Sequence, residues 1–236
     1  MVQYNNFSRA IKVRDIFENL HQINMKSVKM KTFFIHSIAV LLLFFIPFTL
    51  CGQINVTYDY VENQELLDYF RLEGVQYIKV SFTDKELGNK AYHMSVKEIW
   101  DGEIKKESDI VDSRNEPLEQ LKIVGDTILN IRIISKLTAD NKLRMDFYFP
   151  RFSVERSFEA TSLEEYSLRP IIDTKTVDYE KNFYLLVYML PYEVEFGGGV
   201  MKQYCAVVTS GKEVETWGKE FNIKHYLIFE MKFEQL

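Results

Sequence analysis

The stretch LIFEMKF at residues 227–233 decides the fold class. Leu227 and every second residue up to Phe233 are apolar, and between them stand Ile228, Glu230 and Lys232. Successive side chains of a β-strand point to opposite faces, so this period of two gives the segment one apolar face. We therefore predict a half-buried β-strand here.

The same alternation recurs through most of the chain after residue 52. The runs that show it are 75–83, 92–100, 128–137 and 143–149. Turn residues separate several of these runs, which is typical of antiparallel hairpins. The pattern therefore favours an antiparallel sheet over a parallel one.

Asp101-Gly102 is the strongest hairpin signal, because a two-residue type I′ turn needs positive φ at both positions. This turn would pair Ile99 with Ile104 and Glu98 with Lys105. The first pair is apolar and the second is of opposite charge, so both support the predicted register.

A second hairpin is predicted around residues 139–142, with a three-residue loop at 140–142. That loop would place Leu137 opposite Met145 and Ile133 opposite Phe149, so that apolar residues face each other. A third hairpin is predicted from residues 183–196 and 200–209, joined by Gly197-Gly198-Gly199. Pro191 interrupts its first strand, which indicates a bulge or an edge position.

Short helices are predicted at residues 63–73, 117–124, 162–168 and 212–221, each with apolar residues at helical spacing or a capping residue. No linker or repeat divides residues 53–236, so we expect a single domain. The predicted fold is mainly β with α+β character: an antiparallel sheet of hairpins, with three or four short helices covering one face.

The segment 33–50, FFIHSIAVLLLFFIPFTL, has the composition of an export signal. It follows three lysines, and its unbroken apolar core is too short for a membrane-spanning helix, which needs about 20 residues. The leader resembles those of secreted proteins of Gram-negative bacteria. That resemblance implies a periplasmic or surface location for residues 53–236.

Signal cleavage is predicted between Gly52 and Gln53, because the small Gly52 fits a signal peptidase pocket. The alternative is a lipoprotein acylated at Cys51, although Leu50 is larger than the residue that usually precedes such a cysteine. The signal peptide is therefore assigned to residues 30–52. Since a complete leader begins at Met30, residues 1–29 are read as an over-extended start or as a long n-region.

Charge is distributed unevenly along the chain, whose net charge is −5. Residues 1–52 hold six basic and two acidic side chains, which leaves −9 for residues 53–236. An acidic domain repels phosphate backbones, so we expect no nucleic acid partner. We expect contact with a membrane only through the signal segment or a lipidated Cys51.

No cofactor or metal motif is recognised. The triple glycine lacks the following helix and Gly-Lys-Ser/Thr that a phosphate loop needs, and we interpret it as a hairpin tip. His93 and His225 lie in strand patterns without metal-binding spacing, and we interpret them as structural. Cys205 lies in an apolar run, so we expect a buried and unreactive thiol.

Two weaker candidates for a ligand site remain. Carboxylates are plentiful, and glycoside hydrolysis needs only two of them in a cleft. Those considered are Asp101, Asp109, Asp112, Glu164, Glu165, Asp173, Asp178, Glu193 and Glu195. Trp100 and Trp217 are candidates for a sugar-stacking platform, although aromatic residues in strands more often belong to the core.

The sequence carries no local signature of catalysis, so it favours a non-catalytic binding or interaction module of the cell envelope, with an envelope protein or glycan as partner. The first alternative is a hydrolase that acts on glycan or peptidoglycan through paired carboxylates. The second is a lipid-anchored subunit of an envelope complex.

Overall fold

A computed structural model describes residues 52–161, 165–171, 175–204 and 211–236, and contacts group these residues into one compact unit. Cys51 and the rest of the leader, as well as Cys205, lie outside the described residues. The predictions of a cleaved leader and of a buried Cys205 thiol therefore stay predictions.

The described residues form thirteen strands and two α-helices. The strands, in chain order, are β1 (Gln53–Asp59), β2 (Val75–Thr83), β3 (Lys90–Trp100), β4 (Glu103–Asp112), β5 (Ile128–Leu137), β6 (Lys142–Tyr148), β7 (Ser153–Glu159), β8 (Ser167–Pro170), β9 (Thr176–Asp178), β10 (Phe183–Met189), β11 (Tyr192–Phe196), β12 (Gly199–Gln203) and β13 (His225–Gln235). The helices are α1 (Gln64–Leu72) and α2 (Trp217–Glu220).

These strands form two large antiparallel sheets and a separate hairpin. The first sheet has the order β7-β6-β5-β2-β1-β9 and the second the order β4-β3-β13-β10-β8. Strands β11 and β12 pair only with each other. The mainly β, antiparallel character expected from the alternating pattern is confirmed.

The two sheets pack face to face through the apolar sides of their strands. Phe82 of the first sheet contacts Phe233 of the second with ring centroids 5.0 Å apart, and Phe147 contacts Phe229 at 5.5 Å. The stretch 227–233 thus forms the middle of the second sheet, with its alternate apolar residues in the core.

The covering of the first sheet differs from our prediction, because a second sheet takes the place expected for helices. Two α-helices are found in the described part of the chain, where we expected three or four. The apolar faces of β3, β10 and β13 provide far more surface to bury than the short helical segments do, so sheet packs on sheet.

The predicted helix at 63–73 forms as α1, after a cap in which Asn63 Oδ1 accepts a hydrogen bond from Leu66 N at 2.9 Å. Residues 117–124 contain only a 3₁₀ turn, Glu119–Leu121, because Leu118 and Leu121 supply too little apolar surface for a longer helix. Residues 212–221 form a 3₁₀ turn followed by α2. Residues 167 and 168 belong to β8 instead of a helix, and 162–164 lie outside the described residues.

The Asp101-Gly102 hairpin is confirmed, with φ of 51° and 75° at the two turn residues and Ile99 opposite Ile104. The second predicted pair is wrong, since Glu98 lies opposite Lys106 instead of Lys105. A β-bulge inserts Lys105 into the edge strand β4, and such bulges are common on edge strands.

The hairpin between β5 and β6 has the predicted three-residue loop length but a different register. Leu137 lies opposite Leu143 and Ile133 opposite Phe147, so the loop is 139–141. A register shifted by two residues keeps the same faces buried, and the alternating pattern cannot distinguish the two arrangements.

The third hairpin also differs from prediction. Its expected first strand breaks at Leu190-Pro191 into β10, which lies inside the second sheet, and β11, which leaves it. The turn itself is tighter than expected, because Gly197 and Gly198 alone connect Phe196 to its partner Gly199.

Two polar side chains of the first sheet form hydrogen bonds to the edge strands of the second sheet. The Gln76 amide donates to Tyr166 O and accepts from Leu168 N, both at 2.7 Å, and thereby occupies the free edge of β8. At the other edge, the guanidinium of Arg156 on β7 donates to Ile110 O on β4 at 2.9 Å. Both edges are thus covered from within the chain.

Candidate functional site

The tryptophans nominated as a sugar platform occupy different environments. Trp217 is only 1% exposed, and its indole Nε1 donates to Lys212 O at 3.2 Å, so it offers no open face to a ligand. Trp100 stacks on the ring of His225 at 3.8 Å between centroids. One face of Trp100 is therefore already covered, while the residue as a whole is only partly buried.

His225 is fully buried, and its contacts are with other side chains of the domain interior. Its Nδ1 lies 2.5 Å from the Tyr166 hydroxyl, while Nε2 has no hydrogen-bond partner among the described residues. Burial lowers the pKa of His225 to about 4, so the ring is neutral near pH 7. A nucleophilic triad would orient this ring through a carboxylate, whereas here a phenol does so.

His93 lies on the outer face of the second sheet, with Nε2 2.7 Å from Asp109 Oδ1. Neighbouring Asp112 is bound through both carboxylate oxygens by Arg114. The hydrogen bond from Arg114 is the main cause that lowers the pKa of Asp112. Asp109 and Asp112 line a shallow polar cleft between β4 and β7.

A glycosidase needs a general acid whose pKa is raised by its surroundings. Every described carboxyl group whose pKa is shifted is shifted downward, in each case with a donor bound to it: Glu103, Asp112, Asp140, Asp178 and Glu215. Two of the nominated carboxylates are engaged by lysines, Glu165 by Lys202 and Asp178 by Lys181. Glu164 and Asp173 lie outside the described residues.

The β11–β12 hairpin carries a cluster of exposed apolar side chains next to its turn. Phe196 is 71% exposed, Val200 66% and Met201 39%. An added Cβ at Gly197 or Gly198 would meet no atom within 4 Å, so the turn projects freely. We call Phe196, Val200, Met201 and the two turn glycines the hairpin tip.

A cleft of about 440 Å³ lies between α1, the start of β2 and β8. Its walls are mostly apolar and aromatic, with Arg169 of β8 and Arg71 of α1 among the lining residues. The lining residues are Tyr60, Val61, Leu67, Phe70, Arg71, Val75, Gln76, Tyr77, Ser167, Leu168 and Arg169. We call this the α1–β8 cleft, and the sequence reasoning missed it.

The residues at the predicted cleavage site lie at the start of the fold. Gln53 is the first residue of β1 and pairs with Asp178 of β9, while Gly52 directly precedes the strand. A Cβ added at Gly52 would lie 3.1 Å from Tyr179 Cε2. The first described strand therefore begins at Gln53, and a side chain larger than that of Gly52 would press against Tyr179.

Within the described ranges, no group of three or more His, Cys, Asp or Glu side chains is arranged to hold a metal ion. The helices found there are also too short or too polar to cross a bilayer. Comparison of the whole chain with protein-family models, with curated proteins and with solved structures found no match.

Proposed function

We propose that residues 53–236 are a non-catalytic interaction module of the bacterial cell envelope, which binds a protein partner through the hairpin tip. The observation that carries the proposal is the exposure of Phe196 and Val200 beside a two-glycine turn. Clustered exposed apolar side chains are a common mark of protein interaction sites.

The hairpin tip has the chemistry of an interface anchor. Burial of a Phe or Val side chain contributes about 1.5–3 kcal/mol each, and aromatic residues in recesses dominate many interfaces. Because β11 and β12 pair only with each other, the tip can enter a recess without disturbing either large sheet.

Charge next to the tip indicates the kind of partner. On β11, Glu193 lies opposite Lys202, whose ammonium is bound by Glu165. Glu195 lies opposite Val200. The rest of residues 53–236 is also acidic, with the net charge of −9 given above. A partner that combines an apolar recess with a basic rim would complement this surface.

The placement in the envelope rests on the leader at 30–52. Its basic start, apolar core and small residue before the predicted cut are typical of exported proteins. An interaction module at that location would meet other envelope proteins.

Photo-crosslinking in the producing cell tests the proposal. We expect p-benzoylphenylalanine in place of Phe196 to give a discrete protein adduct in the envelope fraction. The same residue in place of Ile104, which is 46% exposed on β4, should give none. Equal adducts at both positions, or no adduct at 196, would contradict the proposal.

A charge reversal refines the experiment. The double change Glu193→Lys and Glu195→Lys should lower the yield of the 196 adduct, because it removes the attraction to a basic rim. Since both side chains are exposed, the free energy of unfolding should change by no more than about 0.5 kcal/mol. An unchanged yield would refute a basic partner.

A further inference from the structure

Arg169 is partly buried and lacks an acceptor for its charge. Its guanidinium lies over the Tyr204 ring at 5.4 Å, and no hydrogen bond or ion pair from it is found among the described residues. Its Nε is buried without a hydrogen-bond partner. By contrast, Arg114 binds Asp112 and Glu234, and Arg156 binds backbone carbonyls.

A buried N–H donor without an acceptor is unfavourable, and here it belongs to a partly buried guanidinium that no carboxylate of the described residues neutralises. Here the cation lines the α1–β8 cleft, whose volume would hold a small organic group. The free energy lost by leaving Nε unpaired is recovered if a ligand places an anionic oxygen beside it.

The walls of the cleft define the rest of the ligand. Phe70 and Tyr77 lie side by side with ring centroids 6.4 Å apart, and Tyr60, Leu67 and Val75 also line the cleft. Such walls suit a flat or branched apolar body. Gln76 cannot serve the ligand as well, because both ends of its amide are engaged by β8.

The charge balance distinguishes a carboxylate from a more highly charged anion. Of the two arginines that line the cleft, Arg71 is paired with Asp68 at 3.4 Å, which leaves Arg169 as the one without a carboxylate partner among the described residues. A single unpaired guanidinium matches one negative charge, and a carboxylate matches its paired donors. The domain as a whole is acidic, so a phosphate dianion or a polyanion would be repelled.

We propose that the α1–β8 cleft binds a monocarboxylate with an aromatic or branched apolar body, held by Arg169. The carboxylate can belong to a free organic acid or to the C-terminus of a peptide. This site is separate from the hairpin tip, so the two proposals stand or fall independently.

Calorimetric titration with matched probes tests the site. We expect 3-phenylpropionate to bind the purified protein and 3-phenylpropionamide, which has the same shape without the charge, to bind far more weakly. Loss of a hydrogen bond to a charged group corresponds to about a 10- to 150-fold change in affinity. The dipeptide Ala-Phe, as free acid and as amide, distinguishes the peptide source from the free acid.

Two arginine variants complete the test. Arg169→Met should reduce binding of the acid by the same factor, whereas Arg132→Met, which removes an exposed arginine stacked on Tyr148, should leave it unchanged. Without ligand, Arg169→Met should unfold at a denaturant concentration close to that of the wild type, because the change removes an unpaired buried Nε–H donor together with the stack on Tyr204.

Three results would overturn the proposal. They are equal affinity for acid and amide, acid binding that survives Arg169→Met, and no binding of either acid at millimolar concentration. If Arg169→Met fails to fold, then Arg169 stabilises the fold through its stack on Tyr204, and the acid and amide probes on the wild-type protein decide the matter.

Discussion

Gly102 is constrained by both its backbone conformation and its packing. Its φ is +75°, and a Cβ added there would lie 2.4 Å from Lys219 Cγ and 3.0 Å from Lys219 N. A larger residue is therefore strained in the turn and also collides with α2. The Asp101-Gly102 turn thus fixes the β3–β4 hairpin and its contact with the segment that follows residue 211.

We expect Gly102→Val to destabilise the domain by about 2–4 kcal/mol, from backbone strain of about 1–3 kcal/mol together with overpacking against Lys219. Gly198→Ala is the matched control, since it has φ +85° but no atom within 4 Å of the added Cβ, and should lose only about 1 kcal/mol. Urea unfolding measures both. Equal losses would mean that the contact with Lys219 adds nothing.

His225 gives the domain a defined dependence of stability on pH. Its pKa is about 4 when folded, against 6.5 ordinarily, because burial disfavours the charged ring. Between these values the unfolded chain binds more protons than the folded one. Stability from this residue is therefore complete above about pH 6.5 and falls as the pH drops towards 4.

We expect this effect to reach about 3 kcal/mol between pH 7 and pH 4. The measurement is the free energy of unfolding across that range, compared with His225→Gln, which should show a smaller fall. His93→Gln, at the outer face, should keep the wild-type fall. A wild-type curve that is parallel to that of His225→Gln would rule out this origin.

At the scale of the element, the pattern of side chains predicts strands and faces well. The parity of apolar residues in β2, β5, β6 and β13 places their buried faces correctly, because each residue's face depends only on its position in its own strand. Strand register is harder to predict from the pattern. The observed β5–β6 pairing differs from the predicted one by two residues, and this shift leaves the same side chains on each face. The Lys105 bulge depends on the edge position of β4, which no local pattern reveals.

The candidate sites are predictable only in part for the same reason. The glycines at 197–199 indicate the hairpin turn, but the exposure of Phe196 follows from the departure of β11 from the second sheet. Arg169 is a candidate ligand-binding residue because no acceptor among the described residues lies near its guanidinium. Whether an acceptor lies there depends on residues that are distant along the chain. Local sequence therefore points to the turn and misses both surfaces.

The hydrogen bonds between the Gln76 amide and the backbone of β8 can be tested by mutation. Gln76→Leu would leave Tyr166 O and Leu168 N without their partners, and we expect a loss of about 2 kcal/mol. Hydrogen exchange should show the Leu168 amide losing protection. Gln64→Leu, which removes an exposed side-chain hydrogen bond to Asp68, should change stability by less than about 0.5 kcal/mol.

An open β8 edge should also change how the protein associates. Size-exclusion chromatography of Gln76→Leu should show species larger than those of the wild type, since an uncovered edge can pair with another chain. An unchanged elution profile together with a protected Leu168 amide would show that another group covers this edge.

For the whole molecule, the order of the strands in the two sheets is the feature that is hardest to predict from the sequence. β13 lies between β3 and β10, and β2 lies between β1 and β5. Apart from the consecutive strands β1 and β2, these neighbours are distant in the chain, and their pairing is decided by how two apolar faces meet. The second sheet was missed in the prediction for this reason.

The start of β1 at Gln53 bears on processing. We predict Gln53 as the first residue of the exported protein, and cleavage before β1 pairs with β9, because a peptidase needs an extended and accessible segment. Mass spectrometry of the protein from the envelope fraction checks this, and Gly52→Leu should retain the leader. A diacylated Cys51, or an intact leader on the wild-type protein, would contradict the prediction.

The central position of β13 has a consequence for the order of events in the cell. Translation reaches the end of β3 at Trp100 long before it reaches Gln235, and the interval is roughly 7–27 s at about 5–20 residues per second. During that time β3 can pair with β4 but has no β13 on its other side. The second sheet is therefore completed only when the last strand of the chain has been synthesised, whereas all six strands of the first sheet are available earlier.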